Sequence, residues 1–416
     1  METEAYRKVL RKNLQYHIIE GMLYLCTIPM VSAQTIMPAL IKRLGGSDVL
    51  IGSWPIAVYL AYYIPQIFSA NFAAGSNYKK PIVIKHGLIQ RMHILILALV
   101  VAVFGKTVPT IALLLIFVVY ISNQLTAGSV SPLWMDFFTK TTLTENRGKV
   151  LGWRTSLGAI LAFVNGFILT GLFSLLEFPF NYATIIALAF VYQMGSYFVQ
   201  TKIVEMYPSP VLKTLPLSIL FAKVRRIIKN NHQFRSFLFA SSLITISFSA
   251  AAFFTVAALE KFKTSESAIG LFTILTIIGQ IISGMLGWLA DIKGTKLALI
   301  ICYCCLILSI IIALFSPNIV FYYSVFVLMG IYIGSELSLR YNFLIEFVPA
   351  SERAMYIAIT NIWIAPFYLL TPAFGLLSLQ LGYNAVFLIT LVPGIMGLLQ
   401  LLSIEIQMKT RDLRFG

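Results

Sequence analysis

Few residues in this sequence can do chemistry, and most of those stand inside apolar runs. In GIYIGSELSLRYN, Glu336 is followed one helical turn later by Arg340, with Tyr322, Met329 and Tyr332 continuing the same helix face. An acid in such a run is tolerated only when it is paired, protonated or wet. Three roles are open to it: a proton carrier tuned by Arg340, a partner with Arg340 for a polar substrate group, or a static bridge. Glu20 is the reserve carrier, with Arg154 as its expected partner. Asp291, Lys293 and Lys296 interrupt SGMLGWLADIKGTKLALIICYCC, which suits a tight turn between two spanning helices. Arg91, accompanied by His93, falls near the middle of another apolar run, where an unpaired cation is costly. It is expected to bond to a neighbouring carbonyl or to snorkel to a lipid headgroup. Enzyme chemistry finds no support. There is no G-x-x-x-x-G-K-[ST] loop for ATP, and His17, His86, His93 and His232 lack metal-binding spacing. Cys26, Cys302, Cys304 and Cys305 lie in apolar runs, and the CYCC stretch, Cys302 to Cys305, reads as lipid-facing filler. No metal, cofactor or disulfide is expected.

The elements that must position these residues follow from composition. Hydrophobic residues make up 59% of the chain and charged ones 11%, with a mean hydropathy of +0.86, against about a quarter charged in soluble domains. The reading is an all-α polytopic membrane protein. Apolar runs predict helices near 17–41, 48–74, 82–104, 109–137, 150–175 and 181–203, then 234–259, 267–290, 297–316, 318–347, 353–380 and 384–407. An even number of crossings puts both termini on one side. Lys42, Arg43, Lys106, Lys261 and Lys263 fall on the opposite side, while most of the 31 Lys and Arg flank the termini and the even-numbered loops. Both termini are therefore expected to be cytoplasmic, in a multi-pass protein of the cell (inner) membrane. The amino terminus lacks the pattern of a removable signal peptide. The net charge of +15 reflects this bias and attraction to an anionic leaflet, not nucleic-acid binding. The longest polar break defines the domains: 1–204 as a first six-helix bundle, 205–233 as a linker and 234–416 as a second bundle. In the linker, Leu217, Leu220, Phe221, Val224, Ile227 and Ile228 recur at helical spacing among Lys223, Arg225, Arg226 and Lys229, as in a helix on the membrane surface or a solvated connector.

The halves echo each other. The stretch opening at Ile51 and passing through Gln66 to a lysine turn resembles that from Ile269 through Gln280, and ENRGKVLG from Glu145 recurs as SERAMYIA from Ser351. Gly287, Leu289, Ala290, Asp291, Gly294 and Lys296 resemble the signature between the second and third helices of major facilitator superfamily transporters. The likeness in architecture, twelve helices in two pseudo-symmetric six-helix bundles, covers the whole chain. Ile292 and Thr295 depart from the usual basic residues, and the first-half copy, Gly75 to Lys80, lacks the acid.

The resemblance implies a secondary transporter working by alternating access, with a midplane site lined mainly by the first, fourth, seventh and tenth helices. Polar stripes there are Tyr24, Thr27 and Gln34; Tyr120, Asn123 and Gln124; and Ser241, Thr245 and Ser249. With Tyr332, Glu336 and Arg340 they make the candidate substrate site, and Gln66, Gln280, Asn165 and Asn361 are secondary candidates. Such a lining suits a neutral or amphipathic solute. The fourth helix lacks the Arg, and the fifth the Pro, of the drug/proton antiporters of this superfamily. The implied cytoplasmic gate joins Asp291, a Lys296–Glu346 pair, Lys79 or Lys80 with Asp136, and Arg147 and Arg353, although plain interfacial pairing is the alternative for all of them. The expected partners are a small-molecule substrate and the lipid bilayer, with no nucleic acid, around a monomer. A lipid flippase on the same fold, or a non-transporting membrane sensor, are the alternative readings.

Overall fold

The computed structural model describes residues 4–74, 76–208, 217–349 and 352–404. Gly75 of the first-half signature, residues 209–216 of the linker and residues 405–416 lie outside these. All regular structure among the described residues is helical. The helices are α1 (Glu4–Leu25), α2 (Ile36–Arg43), α3 (Asp48–Pro55), α4 (Ala61–Ala74), α5 (Lys80–Phe104), α6 (Pro109–Lys140), α7 (Arg147–Leu175), α8 (Phe180–Thr201) and the linker helix α9 (Leu217–Asn230). They continue as α10 (His232–Phe248), α11 (Phe254–Phe262), α12 (Ser267–Ile282), α13 (Gly284–Lys293), α14 (Thr295–Phe315), α15 (Ile319–Glu346), α16 (Arg353–Ile364), α17 (Thr371–Leu381) and α18 (Tyr383–Leu402).

Among the described residues eleven segments are continuous and apolar enough to cross a membrane. The segment 48–74, interrupted at Pro55 and by a π-helical stretch at Ile56–Leu60, brings the crossings to twelve. The start of α1 and the end of α18 lie on one face, here the terminal face; the other is the far face. Local sequence sets the helix ends: Asn231 and Asn318 accept from the backbone N–H groups of Phe234 and Phe321, capping α10 and α15. Gly294 turns the chain between α13 and α14 with φ +96, a conformation that other residues rarely adopt.

Several crossings are broken at membrane depth. Pro29 lacks an N–H, so the first crossing passes from α1 into a 3-10 turn, Ile28–Val31. Ser32 is then extended, and its hydroxyl accepts from the backbone N–H groups of Gln34 and Thr35 before α2 begins. The seventh crossing breaks likewise at Ser249–Ala252, and the eleventh at Ala365–Leu370, where Pro366 sits. Freed backbone groups at membrane depth need a partner in the protein or in a cavity.

Before the linker α5 packs on α6 and α8, and α1 on α7 and α8; after it α10 packs on α18, and α15 on α12 and α14. The two sets meet along α7 with α12 and α3 with α17. The second contact is backbone against backbone. A Cβ on Gly52 would stand 2.5 Å from the Thr371 carbonyl, and one on Gly375 would collide with that of Asp48. Small residues allow this approach, which supplies the dispersion that hydrophobic burial cannot supply between helices in lipid.

The cysteines depart from the lipid-facing expectation: Cys302 is fully buried and Cys305 nearly so. Cys302 accepts from the Ser335 hydroxyl at 3.3 Å, so a face read as filler is packed against α15. Among the described residues no cluster of His, Cys, Asp or Glu has metal-binding geometry.

Candidate functional site

A cavity of about 380 Å³ lies where the broken first crossing meets its neighbours. The break contributes Thr27, Ser32, Gln34 and Thr35. Around them stand Tyr59 and Tyr62 from the second crossing, Gln90 from α5, Tyr120, Asn123 and Gln124 from α6, Gln193 from α8, Thr273, Thr276 and Gln280 from α12, and Ile333 from α15. The lining is amide, hydroxyl and aromatic with aliphatic residues between, and no acid or base is in it. Its polar groups hold one another in place. Gln34 donates to the Tyr59 hydroxyl at 2.9 Å, Gln90 to the Tyr24 hydroxyl at 2.8 Å, Asn123 to the Gln90 carbonyl at 2.8 Å, and Gln193 to the Thr27 hydroxyl at 3.0 Å.

Of the residues expected at a substrate site, Tyr24, Thr27, Gln34, Tyr120 and Asn123 line this cavity, as do Gln124 and Gln280. Ser241 and Thr245 do not. Both are buried in α10, and the Thr245 hydroxyl donates to the Ser241 carbonyl, a bond within its own helix. Asn165 and Asn361 are also outside the lining, accepting from Tyr192 and Tyr341. The second, third, sixth and eighth crossings line the cavity where the seventh was expected. Tyr59, Gln90 and Gln193 were missed in the sequence because single polar residues on those helices form no stripe.

Tyr332, Glu336 and Arg340 stand beside the cavity on α15, beyond Ile333. Glu336 and Arg340 pair at 3.1 Å, with Arg340 almost wholly buried. Tyr59 and Tyr63 from the first half and Tyr332 and Tyr368 from the second are within electrostatic reach of Glu336. Tyr59 also stacks on Tyr368 with ring centroids 4.5 Å apart. One side chain thus joins the cavity lining, the buried ion pair and the opposite half.

A second cavity, of about 400 Å³, is lined within the first half by residues that include Glu20, Arg91, Trp134, Arg154 and Gln200. It shares Tyr24, Tyr62, Gln90 and Ala127 with the first. Glu20 pairs with Arg154 at 3.1 Å, and the guanidinium of Arg154 lies 4.5 Å from the Trp134 ring centroid. Arg91 donates to the Gln193 and Gly87 carbonyls at 2.7 and 2.9 Å and to the Ser196 hydroxyl at 3.1 Å.

The far face is closed over the first cavity by a charged network. Lys42 bonds to Asp48 at 2.9 Å and to Glu260 at 2.7 Å, and Arg43 meets Glu266 at 3.2 Å. Asp48 also accepts from Ser378 and Tyr383 at 2.8 and 3.2 Å. Among the described residues, every ion pair that joins the two halves lies here. Those on the terminal side do not reach the second half: Lys79 meets Asp136 at 3.4 Å, and Lys140 meets Glu205, the first residue of the linker, at 2.6 Å.

Several residues expected at a terminal-face gate have other positions. Lys80 uses its backbone N–H to donate to Glu205 at 2.7 Å, and Lys79 is the one at Asp136. Lys296 donates to the Leu402 and Ile404 carbonyls at 2.9 and 2.7 Å instead of pairing with Glu346. Arg147 donates to the Thr139 carbonyl at 2.6 Å. Asp291, Glu346 and Arg353 are exposed at the turns. The physical reason is that among the described residues this face shows no ion pair between the halves, so these charges turn to nearby carbonyls and to solvent.

Residues 236–410 match the family model described as Major Facilitator Superfamily. No curated protein matches the chain by sequence. Among solved structures, the fold is similar to a mutant of the nucleoside transporter NupG, at a TM-score of 0.74 and 13% identity, over 94% of this chain and 99% of that one. It is also similar to a POT family transporter in complex with 5-aminolevulinic acid (TM-score 0.69, 12% identity, 94% and 95% covered). A third is a bacterial homologue of the iron transporter ferroportin in an inward-facing state (TM-score 0.68, 12% identity, 94% and 98% covered). At these identities the likeness is one of fold.

Proposed function

We propose that this chain is a member of the major facilitator superfamily, a reading supported by the family match of residues 236–410 and by the fold, and that it is a secondary transporter for a small neutral or amphipathic solute. The observation that carries the solute class is the central lining of amides and tyrosines without a charged group. Such a surface offers donors and acceptors to hydroxyls, ring nitrogens and carbonyls, and ring faces to the apolar part of the same molecule. A volume of about 380 Å³ suits a molecule of sugar or nucleoside size, within the usual range of ligand pockets.

The Lys/Arg asymmetry supports a cytoplasmic terminal face, and on that orientation this conformation faces inward. The cavity is sealed from outside by the Lys42–Asp48–Glu260 network. Alternating access then requires that network to break and the terminal face to close. The Glu336–Arg340 pair supports proton coupling, because it lies within electrostatic reach of Tyr59 of the cavity and an intramembrane acid commonly marks an ion path.

The test is counterflow in proteoliposomes, with unlabelled solute inside and labelled solute outside, over a panel of sugars, nucleosides and their charged analogues. The expected result is transient accumulation of an uncharged or amphipathic member. Binding without accumulation points to a sensor, and movement of a fluorescent lipid without any soluble solute points to a flippase; either overturns the proposal.

A further inference from the structure

We infer that the second cavity is an anion-binding subsite, continuous with the central one, so that the ligand of this protein is an amphipathic organic anion whose charged group sits against Arg91. This deepens the transporter reading, on which it rests only for what is done with the ligand.

The inference begins with charge. The second cavity is lined by two guanidinium groups and one carboxylate. The carboxylate is taken: Glu20 pairs with Arg154, and both side chains are more than nine-tenths buried. Arg91, 2% exposed, has only neutral acceptors, the two carbonyls and the Ser196 hydroxyl, with the Tyr24 and Tyr197 rings 5.8 and 5.6 Å away. Among the described residues no carboxylate lies at ion-pairing distance from it. Dipoles hold its position, and one positive charge in this wall is left without a protein counter-ion. A buried cation is costly until an anion reaches it.

A second observation points the same way. Nη1 of Arg154 is buried without an acceptor, while Oε1 of Gln200 in the same lining is a buried acceptor without a donor. The wall therefore holds an unused donor as well as the uncompensated charge. A planar guanidinium offers paired N–H groups that fit a carboxylate or a phosphate monoester. Because Tyr24, Tyr62, Gln90 and Ala127 face both cavities, one molecule can place its anionic group at Arg91 and its uncharged part among the central amides.

The experiment uses the purified full-length chain in nanodiscs of zwitterionic lipid, with binding followed by thermal unfolding and tryptophan fluorescence. The probes are matched pairs, benzoate with benzamide and glycerol 3-phosphate with glycerol, with sodium chloride as a further arm. The expected result is that the charged member of at least one pair binds about tenfold or more tighter than its neutral partner. Arg91→Gln should erase that preference. Because this variant can lose folded protein, Thr155→Glu serves beside it: Thr155 is an exposed residue of the same lining, and a carboxylate there should repel the anion while leaving Arg91 in place. Equal affinity within both pairs overturns the inference. So does a preference that survives Thr155→Glu, a full shift produced by chloride alone, or one that requires anionic phospholipid in the nanodisc. If the anion binds but proteoliposomes never move it, the transporter reading fails and the subsite stands.

Discussion

Replacing Lys42 with Met tests whether the far-face network holds this conformation. The change keeps the length of the side chain and removes the ion pairs to Asp48 and Glu260 and the 3.3 Å bond to Tyr383. Lys42 is 37% exposed and Glu260 49%, so solvent screens these pairs and each contributes about 0.2–1 kcal/mol. Asp48, 6% exposed, keeps the hydroxyl donors of Ser378 and Tyr383, so its carboxylate is not stranded. The sum is about 1–2 kcal/mol, or roughly a 5–30-fold shift toward an open far face. The reporter is Ala33→Cys, a buried position in the cavity lining, with half-buried Cys304 replaced by Ser. A membrane-impermeant thiol reagent applied from the far side should label that cysteine about 5–30 times faster in the Lys42→Met background. Molar salt should narrow the difference, since it screens the parent's pairs. A labelling rate equal to the parent's, in low and high salt alike, refutes the assignment of these charges to a gate and leaves the Gly52 and Gly375 contacts as what closes this face.

Three further outcomes are expected. A reporter active only outside the cytoplasm should stay silent when joined after Gly416 and work when inserted near Lys261; the reverse pattern inverts the proposed orientation. Glu336→Gln should abolish accumulation driven by a proton gradient while sparing solute exchange, and a variant that still concentrates solute as the parent does removes Glu336 as the carrier. Asp291→Asn should slow cycling and leave equilibrium solute binding unchanged, because Asp291 is exposed in the last turn of α13; loss of binding in folded protein would tie it to the cavity instead.

The crossings were legible because apolar length is a local property, and most boundaries read from it lie within a few residues of the helix ends observed. The first crossing is the exception: α1 begins at Glu4, not near residue 17, since its early turns are amphipathic and carry too many charges to read as membrane. There Asn13 ties α1 to the Thr141 and Val204 carbonyls. Arg91 was legible as a cation in need of a partner, and its acceptors are carbonyls and a hydroxyl as the sequence allowed. Which residues face the cavity was less legible. Thr245 and Gln34 look alike as polar residues on inner helices. Yet a hydroxyl can bond to the carbonyl one turn back and satisfy itself, whereas the Gln34 amide, placed past the break at Pro29, reaches across to Tyr59.

The far-face network was not legible at all, and the reason bears on how the two faces differ. Lys42 and Glu260 belong to different halves, so their pairing exists only in a conformation, and no local pattern announces it. On the terminal face the opposite holds: Lys79 finds Asp136, and Lys140 finds Glu205 at the start of the linker, neither reaching the second half. Such pairs stiffen a half without fixing its position against the other. Asp291, Glu346 and Arg353 are exposed at the turns of the second half, and Lys296 spends its ammonium on two backbone carbonyls. If the halves rock, the charges lost from Lys42, Arg43, Glu260 and Glu266 on one face can be offset only by new pairs on the other, and these exposed residues are the ones in position to form them. The free-energy difference between the two states is then a difference between two sets of partly screened ion pairs, a few kcal/mol at most, which is the range in which a bound solute can shift the balance.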